Sequence, residues 1–425
     1  MSSLADGSAA PCKGEAPVSI IVVSRERPEA LRRCLMALEQ QFHRNFEVIV
    51  VADAAGCAAA QPFNAKITQF DAANISAARN AGIALAAGEI IAFLDDDAVA
   101  EPGWLTALCR PFEAPEVAAA GGYVLGRNGI SWQWRARELD TTGKSYPLDV
   151  PDTPWSVPQA SAGRAIRLEG TNMAFRAEVL RAMGGFDPAF RFYHDETDLC
   201  WRMHLRGHQI AIVPGAVVHH GFLPSVRRRQ DRMPRDLSDI GRGTALFLIR
   251  YAATQVEPEL AAERAAQRRR VLFHMRAGRC MPGDVDRLLA GFDQGAAEAK
   301  SEARRPAAAL LPLTSPADAP FLRFCAAEPV DSAFFAGRKS SAKSLKASAK
   351  LAREQGKVAT LLLIDFSPLD HKMRFDGDGI WVQSGGQFGR SDRRENRLHW
   401  RSITERIRLE RQRLERAGRF RESSE

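Results

Sequence analysis

Residues 90–98 read Ile-Ile-Ala-Phe-Leu-Asp-Asp-Asp-Ala, an unbroken apolar run that stops at three carboxylates. A short run of this kind is what a strand buried on both faces looks like, and it points to a parallel sheet covered by helices. In such sheets, ligands bind just beyond the carboxyl ends of the strands. Asp95, Asp96 and Asp97 fall at that place. Packed like charges repel, so the triplet needs an opposing charge. A hard divalent cation shared with a phosphate-bearing substrate would supply it. An acidic loop capping the helix expected near Trp104 would also account for Asp97.

The flanking pattern agrees with a parallel sheet. Residues 17–23 predict a first strand, and Pro28 suits the first position of a helix. Leu31, Leu35 and Leu38 then recur at helical spacing. Residues 46–51 predict a second strand, ended by Ala52 and Asp53. Strand, helix, strand implies a right-handed crossover. No GxGxxG follows the first strand, which argues against a dinucleotide site of the dehydrogenase kind. Asp53 is placed either to accept hydrogen bonds from a base or ribose or to shape a turn.

Residues 67–70 predict a short strand and 74–87 a helix carrying Arg79. That arginine can reach a phosphate, brace the acidic strand end, or lie on the surface. A helix over 102–112 and a strand over 117–125 follow. Between 126 and 167 the pattern loosens, and Trp132, Trp134, Tyr146 and Trp155 sit among prolines, glycines and charges. This stretch lines an acceptor site or forms an ordered surface loop. Asp195, Glu196 and Asp198 open a helix, where the dipole favours negative charge. Two strands are expected at 210–213 and 217–220.

The chain has 425 residues, 45% of them hydrophobic and 26% charged, enough for a sizeable core in two or three domains. No apolar run approaches the ~18 residues of a membrane span. Residues 1–16 predict a flexible leader without the basic-then-apolar pattern of a secretory signal. Seven cysteines without a CxxC pair fit a reduced, cytoplasmic setting. The net charge of +8 suits nucleic acid, an anionic membrane or phosphorylated substrates. No nucleic-acid recognition motif is found, so no nucleic-acid partner is expected.

Helices are predicted over 236–251, 259–277 and 284–290, the first two with basic faces. Residues 294–320 read as a linker. The segment 321–389 is mixed, with a strand over 358–366 and a hairpin over 375–382. Asp376-Gly377-Asp378-Gly379 is too short for a calcium loop and lacks its later glutamate. Residues 403–420 predict an arginine- and glutamate-rich helix, read either as a solvated face or as a docking surface for a membrane or partner.

Four blocks, in order, carry a resemblance. The first is Val18-Ser19-Ile20-Ile21-Val22-Val23-Ser24-Arg25-Glu26-Arg27. The second is Asn74-Ile75-Ser76-Ala77-Ala78-Arg79-Asn80-Ala81-Gly82 together with Ala92-Phe93-Leu94-Asp95-Asp96-Asp97. The third runs from Gly170-Thr171-Asn172-Met173 to Gly184-Gly185-Phe186-Asp187. The fourth runs from Asp195-Glu196-Thr197-Asp198-Leu199-Cys200-Trp201-Arg202 through Gly207 and Pro214 to His219-His220. Together they make the chain similar to the family 2, GT-A fold glycosyltransferases over about half its length.

The resemblance implies an α/β, Rossmann-like mixed sheet flanked by helices over 17–225. The residue pattern adds a helical extension over 236–300, a small mixed segment over 321–390 and a basic helix over 400–421. The resemblance further implies a nucleotide-diphosphate-sugar donor, UDP-linked by default, and a divalent metal, Mn2+ or Mg2+. Ser24, Arg27, Asp53, Arg79, Asp95 and Asp96 are then donor-binding, with Asp97 and His220 at the metal. Asp195 and Glu196 match the family's acidic pair in reversed order. Glu196 takes the base position.

One base and direct attack imply an inverting transfer to a hydroxyl acceptor, a glycan or a lipid-linked one, as in surface polysaccharide or glycolipid assembly. The basic helices after Arg227 leave a peripheral contact at the inner membrane face open. The competing readings are a non-catalytic nucleotide-sugar or glycan-binding protein on the same fold, and a nucleotidyltransferase. The second would normally show a glycine-rich phosphate loop near its first strand; residues 24–28 contain no glycine.

Overall fold

The structure, a computed structural model, describes residues 15–303, 310–314, 320–326, 330–392, 396, 398 and 400–420. The expected leader lies outside these residues except at 15–16, and the expected linker lies partly outside them. The chain begins β1 (Val18–Ser24), α1 (Pro28–Leu38), β2 (Phe46–Ala52), α2 (Ala54–Ala60), β3 (Lys66–Gln69), α3 (Ile75–Ile83) and β4 (Ile90–Asp95). Strands β1, β2, β3 and β4 are parallel in the order β3-β2-β1-β4. β5 (Ala98–Ala100), α4 (Trp104–Cys109), β6 (Val117–Leu125) and β7 (Trp132–Trp134) follow. Next come β8 (Arg137–Asp140), β9 (Ser145–Pro147), β10 (Arg164–Arg167) and β11 (Asn172–Arg176). Then come α5 (Ala177–Ala182), α6 (Asp195–Leu205) and β12 (Gln209–His220). The large sheet continues β4-β11-β6-β12-β5, with β11 antiparallel to both neighbours and β5 antiparallel to β12. This is the mixed, helix-flanked sheet that the resemblance implies.

Side-chain alternation explains why both faces are covered. Val18, Ile20 and Val22 enter one core with Leu31, Leu35 and Trp104, whereas Ile21 enters the other with Phe93, Phe175 and Phe186. Complete burial of Leu31, Leu35 and Leu38 contributes roughly 1.5–3 kcal/mol each and seats α1 on the sheet.

Two strands expected at 210–213 and 217–220 are one, β12, with a bulge between Val213 and Val217. Gly122 accommodates it: a Cβ there would stand 1.9 Å from the Ala216 carbonyl. The bulge keeps the strand paired to its end, so His220 lies in register with Ala98. The loose region 126–167 also gains order, because β10, β8 and β9 form a separate antiparallel sheet.

Helices α7 (Ser238–Tyr251), α8 (Val256–Arg276) and α9 (Pro282–Glu302) follow. The last runs well into the stretch read as linker, because Phe292, Ala296 and Ala299 continue its buried face against α7. β13 (Ser332–Arg338), α10 (Ala342–Glu354), β14 (Val358–Asp365), β15 (Lys372–Phe375) and β16 (Trp381–Gly386) build a four-stranded sheet in the order β13-β14-β16-β15. The last two pair as the expected hairpin.

The final helix, α11 (Ile403–Arg416), is not simply a solvated face. It buries Arg406, Glu410 and Leu414, and Glu410 accepts from Gln383 at 2.7 Å and Arg413 at 2.9 Å. Just beyond it, buried Arg419 donates to Glu101 at 2.6 and 2.7 Å, tying this end of the chain to the residue after β5. No helix among the described residues is long and apolar enough to cross a membrane.

Candidate active site

Three elements deliver the aspartates and their partners. β4 ends at Asp95, and the turn into β5 carries Asp96 and Asp97. The β1–α1 turn brings Ser24 and Arg27 against them. Ser24 Oγ donates to Asp96 at 2.7 Å, and Arg27 lies 2.5 Å from Asp96 and 3.2 Å from Asp97. Burial pushes Asp96 up to about 7, against the pull of Arg27 and Ser24. Burial also opposes ionisation of Asp97. There His220, Arg27 and the Leu223 amide, which donates at 2.7 Å, prevail and hold the carboxyl well below its usual range.

The β5–β12 register brings in His220. Its Nε2 stands 3.3 Å from Asp97 and 3.9 Å from Asp95, while Nδ1 faces Gln133 Oε1 at 3.2 Å. Ligand atoms of Asp95, Asp97 and His220 all lie within 4.8 Å of one another. Two carboxylate oxygens and an imidazole nitrogen, with the far ring nitrogen held by a second group, form a donor set that suits a divalent cation.

Arg79 joins this cluster to the second acidic motif. It projects from α3 onto the Phe186 ring at 5.0 Å, donates to the Gly170 carbonyl at 3.1 Å and bonds Asp195. Its Nη2 is 3.7 Å from Asp95. Glu196, the next residue of α6, accepts from Arg167 at 2.8 Å. Burial and neighbouring Glu196 push Asp195 up despite Arg79. Burial pushes Glu196 the same way, but Arg167 outweighs it and the carboxyl is held low. The two adjacent carboxyls are thus pushed in opposite directions, Asp195 up and Glu196 down.

The turn leading into α6 is locked from behind. His194 has a positive φ of 67° and stacks on Phe247 of α7 at 5.0 Å. Burial, with Arg167 adding to it, holds this imidazole down to about 3, so it stays neutral.

A cleft of about 1030 Å³ opens over these groups and is lined by Ser24, Arg27, Arg79, Asp95, Asp97, Asp195, Glu196 and His220. Two expected donor residues, Asp53 and Asp96, are not among its lining residues. Asp53 caps α2 through Gly56 N at 2.8 Å and holds the Glu26 amide at 2.7 Å, so its oxygens shape the β1–α1 turn. Asp96 is wholly buried beneath Arg27. Trp134 reaches the cleft beside His220, ring to ring at 5.7 Å, while Trp132, Tyr146 and Trp155 are not among the lining residues.

Sequence reading missed Arg167, Gln133 and Glu169, which lines the cleft 3.6 Å from Arg167. Arg167 and Glu169 fall in and just after a strand with no distinctive spacing, and Gln133 lies in the stretch read as loose. No local signal marks any of them.

The sequence matches the model of glycosyltransferase-like family 2 over residues 16–238. It is 28% identical over 252 residues to the O-antigen biosynthesis protein RfbC of Myxococcus xanthus, covering 53% of this chain and 18% of that protein. It is 27% identical over 222 residues to the pre-mycofactocin glycosyltransferase of Mycobacterium tuberculosis, covering 49% of this chain and 44% of that one. The chain thus spans less than half the length of either relative.

Among solved structures it is similar to GalNAc-T7 with UDP, GalNAc and Mn2+, at a TM-score of 0.43 and 14% identity, over 56% of this chain and 48% of that one. It is also similar to the mannosyltransferase PcManGT of Pyrobaculum calidifontis with GDP-Man and Mn2+. There the TM-score is 0.40 and the identity 17%, over 69% of this chain and 90% of that one.

Proposed function

The chain belongs to glycosyltransferase-like family 2, and on that premise we propose that it moves a sugar from a nucleotide-diphosphate donor to an acceptor hydroxyl, inverting the anomeric centre. The observation that carries this reading is that Asp97 and Glu196, far apart in sequence, line one cleft, with Arg79 spanning from Asp95 to Asp195.

Asp95, Asp97 and His220 would hold a divalent cation. When bound, such an ion supplies Lewis-acid stabilisation of charge on the departing diphosphate. Arg27 and Ser24 are fixed by Asp96 at the floor of the cleft, ready to orient the donor. Asp53 acts on the same turn through the Glu26 amide. Arg79 presents a preorganised positive charge where the leaving group develops its negative one, usually the largest single catalytic contribution.

Glu196, ionised and facing the cleft, takes the proton of the acceptor hydroxyl as the oxygen attacks the anomeric carbon. The new C–O bond forms as the bond to the diphosphate breaks, and the electron pair leaves with the nucleotide. Asp195, anchored by Arg79, keeps α6 and its neighbour in place. Sugar-nucleotide donors, glycan or lipid-linked acceptors, and work at a membrane face belong to the same reading. So does the division into units at 17–225, 236–300, 321–390 and 400–421.

Glu196→Gln tests it, read as sugar transfer with Mn2+ or Mg2+ across nucleotide sugars. Turnover should fall by about 10²–10⁴-fold with donor binding retained. Near-normal turnover in Glu196→Gln would remove the base. Donor binding without any transfer or hydrolysis by the unsubstituted protein would favour a non-catalytic binding role.

A further inference from the structure

Beyond His220 the cleft continues into an arm built by the segment after β12 and the C-terminal half of α8. Arg228, Arg232, Arg270 and Arg279 line it. Arg227 lines it too but is ion-paired to Asp239 at 2.5 Å, and neighbouring Arg229 to Asp231 at 3.0 Å; both aspartates also line the cleft. Arg228, Arg232, Arg270 and Arg279 make no ion pair with a carboxylate among the described residues. Among the described residues the Arg228 guanidinium donates to the Leu223 carbonyl at 2.8 Å, and its Nε is buried without a partner. Arg270 reaches Gln267 at 3.2 Å, and Arg279 faces His274 at 3.2 Å. Burial pulls Arg228 below its usual value; Asp97 opposes this, and the cations of Arg27, Arg270 and Arg232 add to it.

The backbone holds these cations at a local cost. Phe222 and Arg232 both adopt positive φ, 51° and 68°. Such outliers are strained and persist only where the surroundings impose them. Their consequence is a platform: the Phe222 ring carries the Arg228 guanidinium at 3.7 Å and that of Arg232 at 5.2 Å. The rim is apolar, with Phe273 64% and Val226 48% exposed. The arm borders the base: the Tyr193 phenol, pushed up to about 12 chiefly by burial, feels both Glu196 and Arg270.

We propose that this arginine arm receives a phosphoryl group carried by the acceptor. The anion would sit on the Phe222 platform between Arg228, Arg232 and Arg270, and so present the acceptor hydroxyl toward Glu196. The word acceptor rests on the transferase reading; the anion site does not. Guanidinium groups from separate elements that line one cleft without a carboxylate ion pair are the chemistry that recognises phosphate. The ligand's source is either a phospholipid-like headgroup or a soluble phosphorylated molecule.

The test uses the full chain and inorganic pyrophosphate, titrated calorimetrically in EDTA so that the aspartate cluster contributes no metal-held site. The unsubstituted protein should bind. The double variant Arg232→Asn/Arg270→Gln should lose about tenfold or more in affinity, and Arg270→Lys alone should retain most of it. Binding of UDP or GDP in Mn2+ should not change in the double variant. Flotation with phosphatidylcholine vesicles, with and without phosphatidic acid, separates the sources. Retention only with phosphatidic acid assigns a lipid headgroup, and pyrophosphate binding without retention assigns a soluble ligand. No pyrophosphate binding in EDTA, or equal binding by the double variant, overturns the proposal and leaves the transferase reading to its own test at Glu196.

Discussion

Arg79 bonds Asp195 across 116 positions of sequence. The same guanidinium stands 3.7 Å from Asp95, so one cation links the end of β4 to the start of α6.

Removing that link should hurt chemistry and, because it strips buried Asp195 of its partner, folding as well. For Arg79→Gln, kcat should drop by about 10²–10³-fold, the scale seen when a preorganised electrostatic donor is lost. Lysine at this position, unable to bridge two partners with one fork, should restore only a minor part. Steady-state kinetics at saturating donor, with a thermal melt alongside, checks both.

Chelation should abolish transfer, and Mn2+ or Mg2+ should restore it. In His220→Ala the metal concentration for half-maximal activity should rise. Gln133→Ala, which frees the ring behind it, should raise it by about 10–100-fold. Metal titrations of activity read both variants.

Glu101 and Arg419 form a buried pair with His219 Nε2 2.6 Å from Glu101. Arg419→Ala should cost about 3–5 kcal/mol, because it takes the guanidinium partner from a buried carboxylate and leaves it only His219. The double variant Glu101→Gln/Arg419→Met should cost less than the sum of the singles. Urea unfolding of the full chain measures each.

His194 gives the fold an acid limit. Its folded value is about 3, below the ordinary 6.5. Above pH 6.5 the ring is neutral in both states and no stability depends on it. As pH falls toward 3, the unfolded chain takes a proton that the folded chain refuses, so stability declines by a few kcal/mol. His194→Asn tolerates the left-handed backbone. It should flatten the pH dependence of urea midpoints across that window.

The apolar runs 18–23, 46–51 and 90–94 and the spacing of Leu31, Leu35 and Leu38 were enough to predict a helix-covered parallel sheet, because strand and helix burial leave different periods. The charge-bearing end of the run 90–94 pointed to Asp95, Asp96 and Asp97, since carboxylates at a strand end are conspicuous against apolar neighbours, whereas Asp195, Glu196 and His220 were marked as site residues by the family resemblance. The end of the helix at 302 was hidden because a stretch rich in alanine and glutamate reads alike as helix or linker.

Local pattern by itself determined where strands end and which acids wait there. It did not determine that Asp53 and Asp96 would turn inward to brace the β1–α1 turn, that Arg167 would hold Glu196, or that α11 would bury Arg406 and Glu410. Those outcomes depend on what each side chain meets from distant parts of the chain. Hydrogen bonds between residues 27, 29 and 72 positions apart, as in Glu26–Asp53, Arg167–Glu196 and Ser24–Asp96, leave no periodicity, and only the packing of the whole fold decided them.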